Sequence, residues 1–407
     1  MVILIVLISL ILIGILANYS GRLVEFIKLP SLIGMMIVGM LIGPAFLNIV
    51  PQATLSIAPL IKDIALVAVL FIGGLGISLA QMKQIGRPAV LLSAIPATLE
   101  GFTIALMSMF LLNFTFVQGA ILGFIIAAVS PAVLIPSMID LIHRRVGQDK
   151  AIPQMLLVGA SADDTIAITL FTTFLGIYFN TTSISNQLLM IPITLLLSIA
   201  VGYLIFKLSR RIIERASNPY LKVIIAFGLC LMLRSIEKYG HIEIFNSLLT
   251  VMVFGFFIRN YLVDSSTIIL NKMNLIWKTG KLYLFAFVGM AINPNLVGEF
   301  FMIGVGILSC SLFVRSIGVL ISLIGTNLST KERIFCVIAY LPKATVQSAK
   351  ASIPMQMGVA GGEIMQAIAI LSVLITAPLG AIGIRLTSDQ FLKVEKDKNL
   401  LKTSYLN

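Results

Sequence analysis

Apolar runs of about 20 residues, each long enough to cross a hydrocarbon core of about 30 Å as a helix, recur from one end of this chain to the other. Thirteen can be marked, at approximately 2–19, 31–50, 57–80, 88–112, 117–142, 152–179, 188–207, 220–237, 244–262, 277–292, 300–325, 333–353 and 363–387. Short polar breaks separate them. The pattern predicts an all-α polytopic membrane protein of about 13 transmembrane helices. The first run has no basic stretch before it and no small-residue cleavage site after it, so it reads as a retained helix, not a removed signal.

Composition points the same way: 58% of the 407 residues are hydrophobic and 11% charged, far from the balance of a soluble globular chain. A net charge of +12 would suit nucleic acid if it were gathered in one domain. It is spread over alternate loops instead. Arg22 and Lys28, Lys83 and Arg87, Arg144 and Arg145, and Arg210, Arg211 and Arg215 follow the first, third, fifth and seventh runs, whereas "LNFTFVQ" and "NTTSISNQ" in the intervening loops carry none. Basic loops face the cytoplasm. The N-terminus is therefore expected outside and the C-terminus inside, with a bacterial cytoplasmic membrane as the location and no nucleic-acid partner. Cys230, Cys310 and Cys336 match no metal or disulfide spacing. There is no phosphate-binding loop followed by Lys and no HExxH, which argues against an ATP-driven pump, an enzyme or a bound cofactor.

Charges placed at membrane depth are functional candidates because each costs about 2.5–3.5 kcal/mol to insert. They are Glu100, Asp163, Asp164, Arg315 and Lys343. Three acids and two bases nearly neutralise one another, as a shared buried site requires. Their placement also follows a repeat. "LFIGGLGIS" (70–78) aligns with "FAFVGMAIN" (285–293), Gly74 on Gly289, and 26 residues separate Gly74 from Glu100 as they separate Gly289 from Arg315. The two segments fall on runs of opposite direction, so the repeats are inverted. Each half also holds an interrupted helix: "AAVSPAVLIPSM" with Pro131 and Pro136, and "IAYLPKATVQSAKASIP" with Pro342 and Pro354. Proline frees backbone groups from the helix ladder, here beside Ser130, Lys343 and Thr345. Inverted repeats with two crossed broken helices point to a secondary transporter that binds at the midplane.

These residues carry a family resemblance. The chain resembles the cation/proton antiporter superfamily, within it the sodium/proton antiporters with an Asp-Asp pair, and is most similar to the branch that includes the animal NHA-type exchangers. "LPSLIGMMIVGMLIGP", "VLFIGGLGIS", "GASADD" and "YLPKATVQSA" carry the likeness over nearly the whole chain, the last two being specific. The resemblance implies one transmembrane unit over 1–407, a homodimer among membrane lipids, with a panel of dimerisation helices at approximately 2–50 and 188–262. It implies core helices at approximately 57–142, 152–179 and 277–387 that move as an elevator, and a short cytoplasmic tail at 388–407. It places Asp164 as the carboxylate that takes either cation or proton, with Asp163 its neighbour. Ser130 and Lys343 lie on the broken helices, and Glu100 partners Arg315.

Adjacent helix residues point about 100° apart, so Asp163 and Asp164 face different surroundings. Asp164 is expected to face a cavity and Asp163 a supporting partner. A hard monovalent cation, Na⁺ or Li⁺, suits carboxylate, hydroxyl and carbonyl oxygens, placed at Asp164 with Asp163 and Ser130 nearby. Proton and cation then compete for one site. Arg315 stays protonated throughout, so three stoichiometries remain open: both aspartates carry protons, Lys343 contributes, or one acid is a fixed partner. The intact pair favours electrogenic exchange. A sodium-coupled symporter of a small organic solute is the alternative, although the chain offers few further polar side chains for a solute.

Overall fold

The computed structural model describes residues 2–27, 29–179, 184–240, 244–291, 298–344, 347 and 350–394, without the side chains of 184–188 and 191. Thr345 and the end of the tail lie outside the described residues. In chain order the helices are α1 (Val2–Phe26), α2 (Ser31–Ile42), α3 (Gln52–Leu75), α4 (Leu79–Leu111), α5 (Phe116–Ile126), α6 (Pro131–His143), α7 (Ile152–Tyr178) and α8 (Ile184–Arg215). There follow α9 (Pro219–Gly240), α10 (Ser247–Tyr261), α11 (Val263–Met290), α12 (Phe301–Ser322), α13 (Thr330–Ala339), α14 (Ile353–Gln356) and α15 (Gly362–Phe391).

Among the described residues, nine helical spans are long and apolar enough to cross a membrane, α5 with α6 counting as one. The count of thirteen read from the sequence is thus not reached on helix length and composition. Helices α2 and α10 are apolar but short, α11 carries Asp264, Lys272, Lys278 and Lys281, and the run at 333–353 is divided. Helix α11 also starts earlier than its apolar run. Its first half buries Ile269, Met273 and Trp277, a four-residue spacing that keeps one face packed while Asp264 and Lys278 stay exposed. Helix α4 likewise begins before its run, because Ser78 and Gln81 close a capping box at its start.

Two packed groups result. Helix α4 lies along α5, α7 and α12, with α15 against α13; α2, α3, α10 and α11 form the other group, joined by α1 and α8. Helix α6 touches both α3 and α7, and α7 touches α8. Inside the second group the repeat is visible as one interlock built twice. A Cβ on Gly74 of α3 would stand 2.0 Å from the Met252 carbonyl oxygen of α10, and one on Gly255 of α10 would stand 2.8 Å from the Phe71 oxygen of α3. A Cβ on Gly289 of α11 would stand 2.1 Å from the Met36 oxygen of α2, and one on Gly39 of α2 would stand 2.0 Å from the Ala286 oxygen of α11. Only glycine permits backbones this close.

Candidate functional site

Both interruptions follow from local sequence. Pro131 has no N–H and fits the first turn of α6, and it holds the preceding Ser130 extended, at φ −80° and ψ 111°. Pro136 is accommodated inside α6, so Pro131 alone makes the first break. Helix α13 ends at Ala339, and Leu341 to Ala344, with Pro342 among them, leave the helix. The two breaks touch: the Ser130 N–H donates to the Pro342 carbonyl at 2.8 Å.

Every freed backbone group needs a partner away from water. At the C-terminal end of α5, Gln347 Nε2 donates to the carbonyls of Ile126 (3.2 Å) and Ala128 (2.7 Å). The Ala127 carbonyl accepts from Arg315 Nη1 at 2.5 Å and Lys343 Nζ at 3.1 Å. At the start of α6 the Val129 N–H donates to Asp163 Oδ2 at 2.7 Å. On the second break, Arg315 Nε donates to the Tyr340 carbonyl at 2.6 Å. The Lys343 N–H donates to Thr376 Oγ1 at 2.8 Å and the Ala344 N–H to Gln347 Oε1 at 2.9 Å. Cationic side chains take the helix C-terminal ends and a carboxylate takes an N-terminal end, as the helix dipoles favour.

The same side chains pair with each other. Glu100 Oε2 lies 2.5 Å from Arg315 Nη1 and 2.6 Å from Lys343 Nζ. Arg315 Nη2 stands 3.5 Å from Asp163 Oδ2, a long contact that the guanidinium's fixed charge makes attractive. Glu100, Asp163, Arg315 and Lys343 are all fully buried. Two acids balance two bases, which is the condition for burying any of them.

Asp164 stands apart from this network. It is 4% exposed, and Ser161, one turn earlier on the same side of α7, contacts Met252 Sδ of α10 at 3.2 Å. Besides Asp163, the charges whose fields reach Asp164 include Lys350, Arg234 and Glu237. The carboxylate therefore faces the boundary between the two helix groups. Asp164 Oδ1, Asp163 Oδ1, Ser130 Oγ and Thr165 Oγ1 are buried with no hydrogen-bond partner among the described residues. Unpartnered buried oxygens are rare, and three on the consecutive residues 163–165 suit a proton or a hard monovalent cation. No cluster of three His, Cys, Asp or Glu suited to a transition metal occurs among the described residues.

The structure thus joins Glu100, Asp163, Arg315 and Lys343 directly, and Ser130 to Pro342 through backbone. Arg315 bonds Glu100 and also approaches Asp163. The sequence reading missed Gln347, Tyr340 and Thr376, which serve the breaks, and Lys350, whose ammonium sits 5.1 Å from the Phe171 ring centroid. It also passed over Asp63, Arg234 and Glu237, although acids and a base inside apolar runs were a usable signal.

A family model described as sodium/hydrogen exchanger, transmembrane, matches residues 7–388. The chain belongs to the sodium/hydrogen exchanger family. It is 29% identical to sodium/hydrogen exchanger 9B2 of Xenopus tropicalis over 405 residues, covering 94% of this chain and 74% of that protein. With sodium/hydrogen exchanger 9B1 of Mus musculus it shares 29% over 418 residues, 96% of this chain and 72% of the relative. The sodium proton antiporter MjNhaP1 from Methanocaldococcus jannaschii, solved at pH 8, matches the fold with a TM-score of 0.78 at 20% identity, covering 96% of this chain and 99% of that one. Members of the exchanger family are membrane transporters, not enzymes, and move Na⁺ and H⁺ without a cofactor. These relatives come from animals and an archaeon, and give no support to the bacterial membrane expected from the sequence.

Proposed function

We propose that this exchanger carries Na⁺, or Li⁺, in exchange for H⁺ at Asp164, proton and cation competing for one carboxylate. One observation carries the reading: Asp164 is buried at the boundary between the helix groups with Oδ1 unpartnered, whereas Asp163 is held by Val129 and Arg315. Asp163 Oδ1 and Thr165 Oγ1, from the adjacent residues, and Ser130 Oγ, at the first break, are the further unpartnered oxygens that could serve a cation bound there. A bare carboxylate resists transfer through a dry boundary, and a bound cation or proton removes that resistance. The moving body is α4 to α7 with α12 to α15. Helices α3 and α11 stay with the panel because they pack on α10 and α2, unlike the division at 57 and 277 drawn from the sequence. The panel pairs two copies, with the N-terminus outside and the C-terminus in the cytoplasm.

The arrangement favours one proton per cation over the electrogenic stoichiometry. Arg315 never releases its proton, Lys343 is tied to Glu100, and Asp163 is a fixed acid between an amide and a guanidinium.

Proteoliposomes with a trapped pH dye test the reading. Addition of Na⁺ or Li⁺ moves protons in native protein and not in Asp164→Asn. Sodium-driven uptake of an organic solute with no proton movement would instead identify the symporter.

A further inference from the structure

A second group of charges, half-buried, lies on the panel, away from the crossing. Arg234 of α9 donates from Nη1 to Glu237 Oε2 at 2.6 Å and from Nη2 to Asp63 Oδ1 of α3 at 3.0 Å. Lys238 of α9 binds the other oxygen of Asp63, and the Ser247 hydroxyl at the start of α10 donates to Glu237. The Arg234 side chain is 22% exposed, with Asp63 at 17% and Glu237 at 20%, so this is no solvated surface pair. A small cleft lined by Asp63, Arg234, Ser235, Lys238 and Tyr239 opens beside it. The proposed exchange at Asp164 has not used this cluster.

Two features relate it to the ion site. Ser161 of α7 touches Met252 of α10, which turns the Asp164 side of α7 toward the panel helix that begins at Ser247. The fields of Arg234 and Glu237 also reach Asp164, as do those of its neighbour Asp163 and of Lys350 on the second broken helix. Arg234 is a permanent cation, clamped to its own element by Glu237 and to α3 by Asp63. It cannot follow a moving core.

We propose that Arg234, fixed on the panel by Asp63 and Glu237, weakens the hold of Asp164 on its transported cation at the membrane face where α9 ends and α10 begins. This rests on the exchange reading above. A guanidinium that stays in place repels a monovalent cation bound near it and stabilises the bare carboxylate left behind. When the core carries Asp164 away, the repulsion fades with distance and dielectric. Cation affinity is then lower at the cluster's face than at the opposite one. The gradient at equilibrium is unchanged, because a closed cycle compensates unequal affinities by a bias in the empty and loaded carrier. Glu237 has the reverse sign: it attracts the cation and partly cancels Arg234.

The test is the apparent KM for Na⁺ measured separately at each face of oriented proteoliposomes. Arg234→Gln lowers KM at the cluster's face about three- to tenfold, the range for one charge acting through partly wet protein. Arg234→Lys stays near native, and Glu237→Gln raises KM at the same face. Damage to a merely structural clamp would move both neutral variants in the same direction. That pattern, or an unmoved KM in well-inserted Arg234→Gln, overturns the proposal. If Arg234→Gln does not insert, Ser247→Ala, which loosens the clamp without removing a charge, should leave KM unmoved while Glu237→Gln raises it. Native protein without Na⁺-dependent proton movement would refute the exchange reading itself; native exchange with unmoved variants would refute only the role of Arg234.

Discussion

Glu100 is the shared acceptor of the buried network, so its neutralisation should be the most informative single change. In Glu100→Gln the carbonyl end keeps weak acceptor capacity, but Arg315 and Lys343 become two buried cations facing Asp163 alone, 3.5 Å from one guanidinium nitrogen. Breaking a buried pair on one side costs about 3–5 kcal/mol. Both nitrogens sit within 2.6 Å of the lost carboxylate, and both are fully buried, which places the expected loss at the upper end. In purified protein that corresponds to a fall in apparent Tm of about 5–10 °C. The assay is thermal unfolding in detergent at fixed scan rate, because membrane proteins seldom refold. The partner variant is Glu100→Gln with Lys343→Met, which restores one acid to one base. It should recover at least half of the lost Tm, a coupling that a double-mutant cycle reads directly. A Glu100→Gln protein within 1 °C of native, where about 1 °C is the scatter such a shift must exceed, would refute the charge-balance reasoning. So would a double variant no better than the single one.

Gln347→Leu should destabilise by about 2–4 kcal/mol, seen as lower Tm and faster proteolysis near residue 127, because two carbonyls and an amide lose one partner. Gly74→Ala and Gly289→Ala should each lower the yield of folded protein by a similar factor, since each inserts a methyl about 2 Å from a carbonyl oxygen; a tolerant Gly289 beside an intolerant Gly74 would argue against equivalent interlocks. Transport rate at saturating Na⁺ should not depend on an imposed membrane potential if one proton exchanges for one cation, and a clear dependence would reinstate electrogenic exchange.

Much of this architecture was legible because hydrophobic run length and the proline breaks are local properties. The equal offsets from Gly74 to Glu100 and from Gly289 to Arg315 anticipated a pair that the fold brings to 2.5 Å. What stayed hidden depends on long-range packing. Gln347 reads as an ordinary polar residue until α5 supplies the carbonyls of Ile126 and Ala128, more than two hundred residues earlier. Pro136 looked like a second break, yet one proline in a helix is tolerable when neighbours take up the freed groups. The placement of α3 and α11 could not be read from apolar runs, because it rests on Gly39, Gly74, Gly255 and Gly289 permitting close backbone contact with distant helices. Arg234 was passed over because, with Glu237 and Lys238, it reads as the charged end of α9 until Asp63 of α3 is brought against it.

The central claim is that one carboxylate, Asp164, holds either a proton or the cation. Proton release on Na⁺ binding, followed by calorimetry in buffers of different ionisation enthalpy, tests it without transport. The account predicts that native protein releases close to one proton per Na⁺ at a pH where the site is protonated, with affinity rising as pH rises, and that Asp164→Asn shows neither binding nor release. Sodium binding without proton release, or with release intact in Asp164→Asn, would contradict it.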